Sequence, residues 1–350
     1  MQIYAGMDQR LPLAAVAAHA RRVEAMGYDG LNVPDAIHDG LLAAQAALAA
    51  TSRLRVAISV LVCFPRSPMN VAHAAWDLQA FSNGRFELGL GSQVRGNIVG
   101  RYSTPWTPPV PRMREYVGSL RAIWRCWQTG EALDFRGEIY SFTRMQPFFN
   151  PGPIERPEIP IHLGAVGPNM TRLAGEVADG LVTHPTSSSP RQLREATLPE
   201  LAAGTARGGC PGARARLMSA GLVATGATPE DVARAREAAR ELLAFLYSTP
   251  AYWRALDLHG FPAVGTKLRD LSRQGRWAEM VGQIGDELLD TLVPQGPYDE
   301  IAAVLRDWYE GLADALVFPV PGDPRHDGAA GAAIERLRRL AGHAAAPGSS

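Results

Sequence analysis

Ser82-Asn83-Gly84-Arg85-Phe86-Glu87-Leu88-Gly89-Leu90-Gly91-Ser92-Gln93 sets a short apolar strand directly in front of a small-residue loop. Gly89, inside the strand, predicts that something flat approaches the backbone closely. Gly91 and Gly96 predict positive φ angles that aim several backbone N–H groups at one point, where an anion could be held. Glycine-rich strand ends of this kind occur in many α/β enzymes, so the rest of the chain has to say which architecture carries this one.

Outward from that stretch, short apolar runs alternate with longer Ala/Arg/Leu-rich segments of helical period, the pattern of βα units on a parallel sheet. Strands are expected near 2–5, 29–33, 54–62, 85–90, 160–165, 179–183, 216–224 and 313–319. Eight strands, each but the last followed by a helical segment before the next, predict a closed (β/α)8 TIM barrel rather than an open sheet. Pro12 opens the first helix and Gly27 closes it, Thr228-Pro229-Glu230 starts another, and the last helix is expected over Ala329–Leu340,. Two segments exceed a minimal barrel. A hairpin turning at Arg136-Gly137 lies in an insertion of about 131–158, and a helical insertion spans about 248–287,. Residues 1–342 thus read as one barrel domain and 343–350 as a flexible tail,.

Composition agrees with a compact cytoplasmic protein. The 350 residues include 46% apolar and 20% charged residues with a formal charge of zero,. No basic excess suggests nucleic acid or an anionic membrane as partner. Cys63, Cys126 and Cys210 are too scattered for a disulfide framework or a metal cluster, and no pair of histidines has metal-site spacing,. The first residues read as a strand rather than a signal peptide, and no apolar run reaches the ~18 residues of a membrane span.

In a barrel of this kind the active site lies at the C-terminal rim. The rim positions are Pro34, Asp35 and His38; Ser59, Val60, Phe64 and Arg66; Gly91, Ser92, Gln93, Arg95 and Asn97; Ala165, Val166, Gly167 and Asn169; and His184. Asp35 and His38 are close enough for the carboxylate to orient the imidazole as a proton donor or acceptor. The alternative is that Asp35 caps the next helix and His38 is a surface residue. Gly164-Ala165-Val166-Gly167-Pro168-Asn169-Met170 runs from a strand end into a helix whose N–H groups make a phosphate seat,. It is not the dinucleotide fingerprint, because the Gly-x-Gly-x-x-Gly spacing is absent here and at Gly89,. Trp106, in a Pro-rich loop, is a candidate substrate wall, and Phe64, Phe148 and Phe149 suggest an aromatic pocket,. A Schiff-base aldolase is disfavoured because Lys267 is the only lysine,.

Taken together, the motifs resemble the bacterial luciferase-like superfamily, in its branch of deazaflavin (coenzyme F420)-dependent oxidoreductases. The matching blocks are Ala57-Ile58-Ser59-Val60 with Arg66-Ser67-Pro68, Gly84 to Gln93, Arg112-Met113-Arg114-Glu115-Tyr116, Phe135-Arg136-Gly137 with Tyr140, and Ala165 to Met170 with Ala174 to Leu181. The resemblance implies an insertion-bearing barrel that passes a hydride between C5 of the deazaflavin and a small organic substrate, at a C=C, C=N or alcohol carbon. It further implies a non-proline cis bond at Ser59-Val60, cofactor hydrogen bonds at Asp35 and Asn97, a phosphate on the backbone of Ala165, Val166 and Gly167, and a homodimer. Relatives tend to have Glu at the position of Asp35, and the sugar-phosphate dehydrogenases carry a His where this chain has Ala36, so His38 becomes the preferred proton relay. Two rivals stand beside this reading: an FMN-dependent monooxygenase on the same barrel, and a catalytically silent cofactor-binding barrel.

Overall fold

The computed structural model describes residues 1–208 and 214–343. Cys210 and most of the expected tail, 344–350, lie outside the described residues. Eight parallel strands close on themselves: β1 (Gln2–Gly6), β2 (Gly30–Val33), β3 (Arg55–Val62), β4 (Phe86–Gly91), β5 (Ile161–Ala165), β6 (Gly180–Thr183), β7 (Arg216–Ser219) and β8 (Ala315–Phe318). Each pairs with the next in sequence and β8 returns to β1. The helices α1 (Leu13–Ala25), α2 (Gly40–Ala50), α3 (Pro68–Phe81), α4 (Pro109–Thr129), α5 (Pro168–Val177), α6 (Leu198–Arg207), α7 (Ile301–Tyr309) and α8 (Asp327–Arg338) accompany them. The alternation read from the sequence is therefore a (β/α)8 barrel.

The quoted stretch shows why β4 forms where it does. Asn83 and Gly84 take positive φ angles of 53° and 85° and turn the chain out of α3,. Arg85 then donates to the carbonyls of Leu48, Thr51 and Leu54, satisfying the end of α2 and the entry to β3,. Phe86 to Gly91 is buried at every residue, as expected of a strand covered on both faces,.

Because side chains alternate along a strand, inward residues stack in layers. Lowest is a charged layer, in which the buried Glu87 carboxylate accepts from Tyr4 Oη at 2.9 Å and from Arg55 Nη1 at 2.7 Å. His162 Nε2 lies 3.4 Å from its second oxygen, and Arg216 Nη1 lies 3.6 Å from the first. Above them Tyr4, Ala57, Val182, Met218 and Ala315 pack as an apolar plug. The top layer is mostly small: Gly6, Ser59, Gly164 and Ala220, with Asn32 and Val317, leave the upper lumen open.

Three expectations need correction. The seventh strand ends at Ser219 rather than 224, and Ala224–Gly226 instead pairs with Gln295–Pro297 in a separate two-stranded sheet. The hairpin pairs Phe135 with Phe142 and Arg136 with Ser141, so Arg136 is in a strand and the turn begins at Gly137. The Glu115 carboxylate sets that turn by accepting the N–H groups of Glu138, Ile139 and Tyr140. Beyond Tyr252 the added helices continue to Leu292, because Leu288, Leu289 and Leu292 are needed to fill a second core with Leu243, Tyr247 and Leu256. Among the described residues, no helix is long and apolar enough to cross a membrane.

Candidate active site

A cavity of about 690 Å³ opens above the small top layer, at the C-terminal ends of the strands. That size suits a cofactor with a small substrate. One wall is the turn from β5 into α5, Ala165 to Met170; another is Thr183-His184-Pro185 after β6, joined by Ala251 and Tyr252 from the helical insertion. Gly91, Ser92 and Gln93 after β4 complete the rim.

The Ser59–Val60 peptide is cis, as the resemblance implied, and interrupts the β3–β4 register between Ile58 and Leu61. Val60 explains the glycines of the quoted stretch. A Cβ on Gly89 would overlap the Ile58 carbonyl oxygen, and one on Gly91 would stand 2.5 Å from Val60 Cγ2. The close approach expected at Gly89 is therefore made by the neighbouring strand and not by a ligand. Neither Gly91 nor Gly96 has a positive φ; the loop's left-handed residue is Gln93, at 55°. Its Oε1 accepts from the Val94 N–H and from Asn97 Nδ2, so Asn97 supports the rim from outside the cavity wall.

The turn into α5, where the sequence suggested a phosphate seat, starts without a side-chain cap. Gly167 is the N-cap, in contrast to Asp39 on α2 and Ser67 on α3. Among the described residues nothing lies within 4 Å of a Cβ built on Gly167. Pro168 at the first helical position has no N–H, so the first uncapped donors of this ten-residue helix are those of Asn169 and Met170, two residues that line the cavity,.

Asp35 lines the cavity, but its oxygens are engaged. Oδ1 accepts the Gly40 N–H at 3.0 Å, Oδ2 accepts the Val62 N–H at 3.0 Å, and Arg66 Nη2 approaches both. It ties the end of β2 to β3 and to the start of α2. His38 is not part of the cavity wall, and neither are Phe64, Arg66 or Trp106. Phe64 is buried beneath the Arg112 guanidinium, 4.5 Å from its ring centroid, and Arg66 bridges Asp35 and Asp39. Phe148 and Phe149 are exposed on the insertion at 88% and 59% and are not part of the cavity wall. His184 does line the cavity; its ring stacks on Tyr252 at 4.3 Å and 9°. Burial lowers its pKa to about 4. Tyr252 and Asn32 are among the wall residues that sequence reasoning missed. An aromatic residue beside Pro250 in an insertion that was expected to cover the site was the one available signal.

The luciferase-like monooxygenase family model matches residues 2–315. An uncharacterized protein of Mycobacterium tuberculosis is 42% identical over 313 residues, covering 89% of this chain and 92% of that one. A putative coenzyme F420-dependent oxidoreductase of the same organism is 31% identical over 282 residues, covering 74% and 76%. The solved structure of coenzyme F420-dependent tetrahydromethanopterin reductase from Methanopyrus kandleri superposes with a TM-score of 0.76 over 97% of this chain and 98% of that one. At 16% identity this likeness speaks to the fold alone. With most of its length matched by the family model, and with the rim geometry above, the chain belongs to the luciferase-like monooxygenase family.

Proposed function

We propose that this protein is a deazaflavin-dependent oxidoreductase acting on a small organic molecule. The observation that carries the reading is the uncapped N-terminus of α5 opening on the same cavity as the Ser59–Val60 edge and His184. The residues fit such a cofactor: Asn169 and Met170 offer backbone N–H groups to a phosphate, and Val60 and Val62 offer apolar surface to a ring,. When bound, the deazaflavin supplies the two-electron hydride chemistry. The chain supplies orientation. Asp35 positions the backbone of Val62 and Gly40, the small top layer leaves room above the plug, and Tyr252 covers one side. His38, the relay suggested by the sequence, would have to act from outside the cavity wall.

A second reading, an FMN-dependent monooxygenase, is favoured by one feature: a phosphate seat built from backbone donors accepts the FMN phosphate as readily. Parallel fluorescence titrations with oxidised coenzyme F420 and with FMN separate the two. Selective F420 binding is the expected result. Selective FMN binding would replace the first reading with the second, and binding of neither would remove both.

A further inference from the structure

The cavity restricts what can sit beside the cofactor. Among the described residues its walls carry three titratable side chains, Asp35, His184 and Tyr252, and no Lys or Arg. Asp35 is held by two backbone N–H groups and Arg66. Away from the start of α5, a substrate carboxylate or phosphate would therefore find no free counter-charge and would be costly to desolvate.

His184 offers a different kind of recognition. Its Nδ1 is 2.7 Å from Thr186 Oγ1 and 3.4 Å from the Thr186 backbone nitrogen. A backbone N–H can only donate and the Thr186 hydroxyl can donate as well, so this pairing favours Nδ1 as acceptor and the ring proton on Nε2. Among the described residues no protein group takes that Nε2–H. Burial keeps the imidazole neutral down to a pH of about 4, and the Tyr252 ring, 4.3 Å away and nearly parallel, fixes its plane. A neutral, tautomer-locked imidazole is a hydrogen-bond donor and not a cation.

We propose that His184 Nε2–H is the fixed donor for the substrate, and that the site selects an uncharged molecule whose carbonyl or imine accepts that hydrogen bond. In the reducing direction the substrate carbon takes a hydride from the reduced deazaflavin, which is thereby oxidised. The C=O or C=N π pair moves onto the heteroatom, and the heteroatom takes a proton from solvent, so the imidazole ends as it began. The chemistry rests on the deazaflavin reading; the donor assignment and the recognition do not.

The test begins with the cofactor-free protein, labelled with nitrogen-15 histidine. The expected spectrum shows His184 as the Nε2–H tautomer, unchanged from neutral pH down to about 5, above the lowered pKa of about 4. Cyclohexanone should then shift the Nε2 resonance, and its carbon isostere methylenecyclohexane should not. His184→Phe keeps a ring against Tyr252 but removes the donor, and should weaken cyclohexanone binding about tenfold, the value of one hydrogen bond. His184→Asn, which keeps an N–H, should recover part of that loss. An Nδ1–H tautomer, a ketone that leaves Nε2 unmoved, or equal ketone affinity in His184→Phe would overturn the proposal. An F420 titration of the same samples reports separately on the cofactor, so loss of the deazaflavin reading would be recognised as such.

Discussion

Replacing Glu87 by Gln removes one charge from the base of the barrel without changing shape. Glu87 is 1% exposed, and its neighbours are Tyr4 Oη at 2.9 Å, Arg55 Nη1 at 2.7 Å, Arg216 Nη1 at 3.6 Å and His162 Nε2 at 3.4 Å. Burial by itself pushes the carboxyl up, but His162, Arg216 and Arg55 outweigh it and hold the group far below the usual carboxylate range,. The Gln amide can keep the Tyr4 hydrogen bond, yet it leaves two guanidinium groups facing a neutral partner. Breaking a buried pair from one side costs roughly 3–5 kcal/mol. Arg55 is 41% exposed and can turn toward water, while Arg216 is 20% exposed, so the expected loss is about 3 kcal/mol. The sign of the pH dependence follows. A carboxylate with a depressed folded pKa adds stability that is present above its unfolded value of about 4 and lost as pH falls below it. Urea denaturation of parent and Glu87→Gln should therefore differ by about 3 kcal/mol near neutrality, the gap narrowing in acid. A difference under about 1 kcal/mol at neutral pH, or one that does not change on acidification, would refute the assignment of the barrel base as a working ion cluster.

Gly89→Ala should lose about 3 kcal/mol in the same assay, because its Cβ meets the Ile58 carbonyl and no rotamer relieves backbone,. Gly167→Ala, with open space around it, should keep parental stability to within about 0.5 kcal/mol, so any change in cofactor affinity there reports on the anion seat,. Asp35→Ala should destabilise by about 2 kcal/mol by orphaning the Gly40 and Val62 N–H groups,, whereas His38→Ala should be stability-neutral, and a turnover loss in it alone would restore His38 to the mechanism. A homodimer is proposed through α2, which has no charged residue and leaves Leu42 61% exposed. Light scattering should give twice the chain mass, and Leu42→Glu should lower it toward the monomer.

The base of the barrel, the glycines and the rim divide between them what could be read in advance. Strands and helices were legible because hydrophobic period and end signals are local: Pro12, Gly27 and the capping box at Thr228 act over a few residues,. The uncapped start of α5 at Gly167 was legible for the same reason, since a strand end, a glycine and a proline in sequence suffice to build it. Tertiary structure alone decided what the remaining rim residues do. Gly89 and Gly91 look identical as ligand-approach or packing glycines until Val60 and Ile58 are placed beside them. Asp35 reads equally as a partner of His38 or a cap on the next helix until Gly40 and Val62, the latter 27 residues away, are seen to donate to it. His184 acquires its neutral state from burial and its fixed plane from Tyr252, and neither is encoded near it in the chain. Sequence determined the barrel because periodic burial needs no partner to be named; which polar groups were left free to act depended on contacts that only closure of the fold creates.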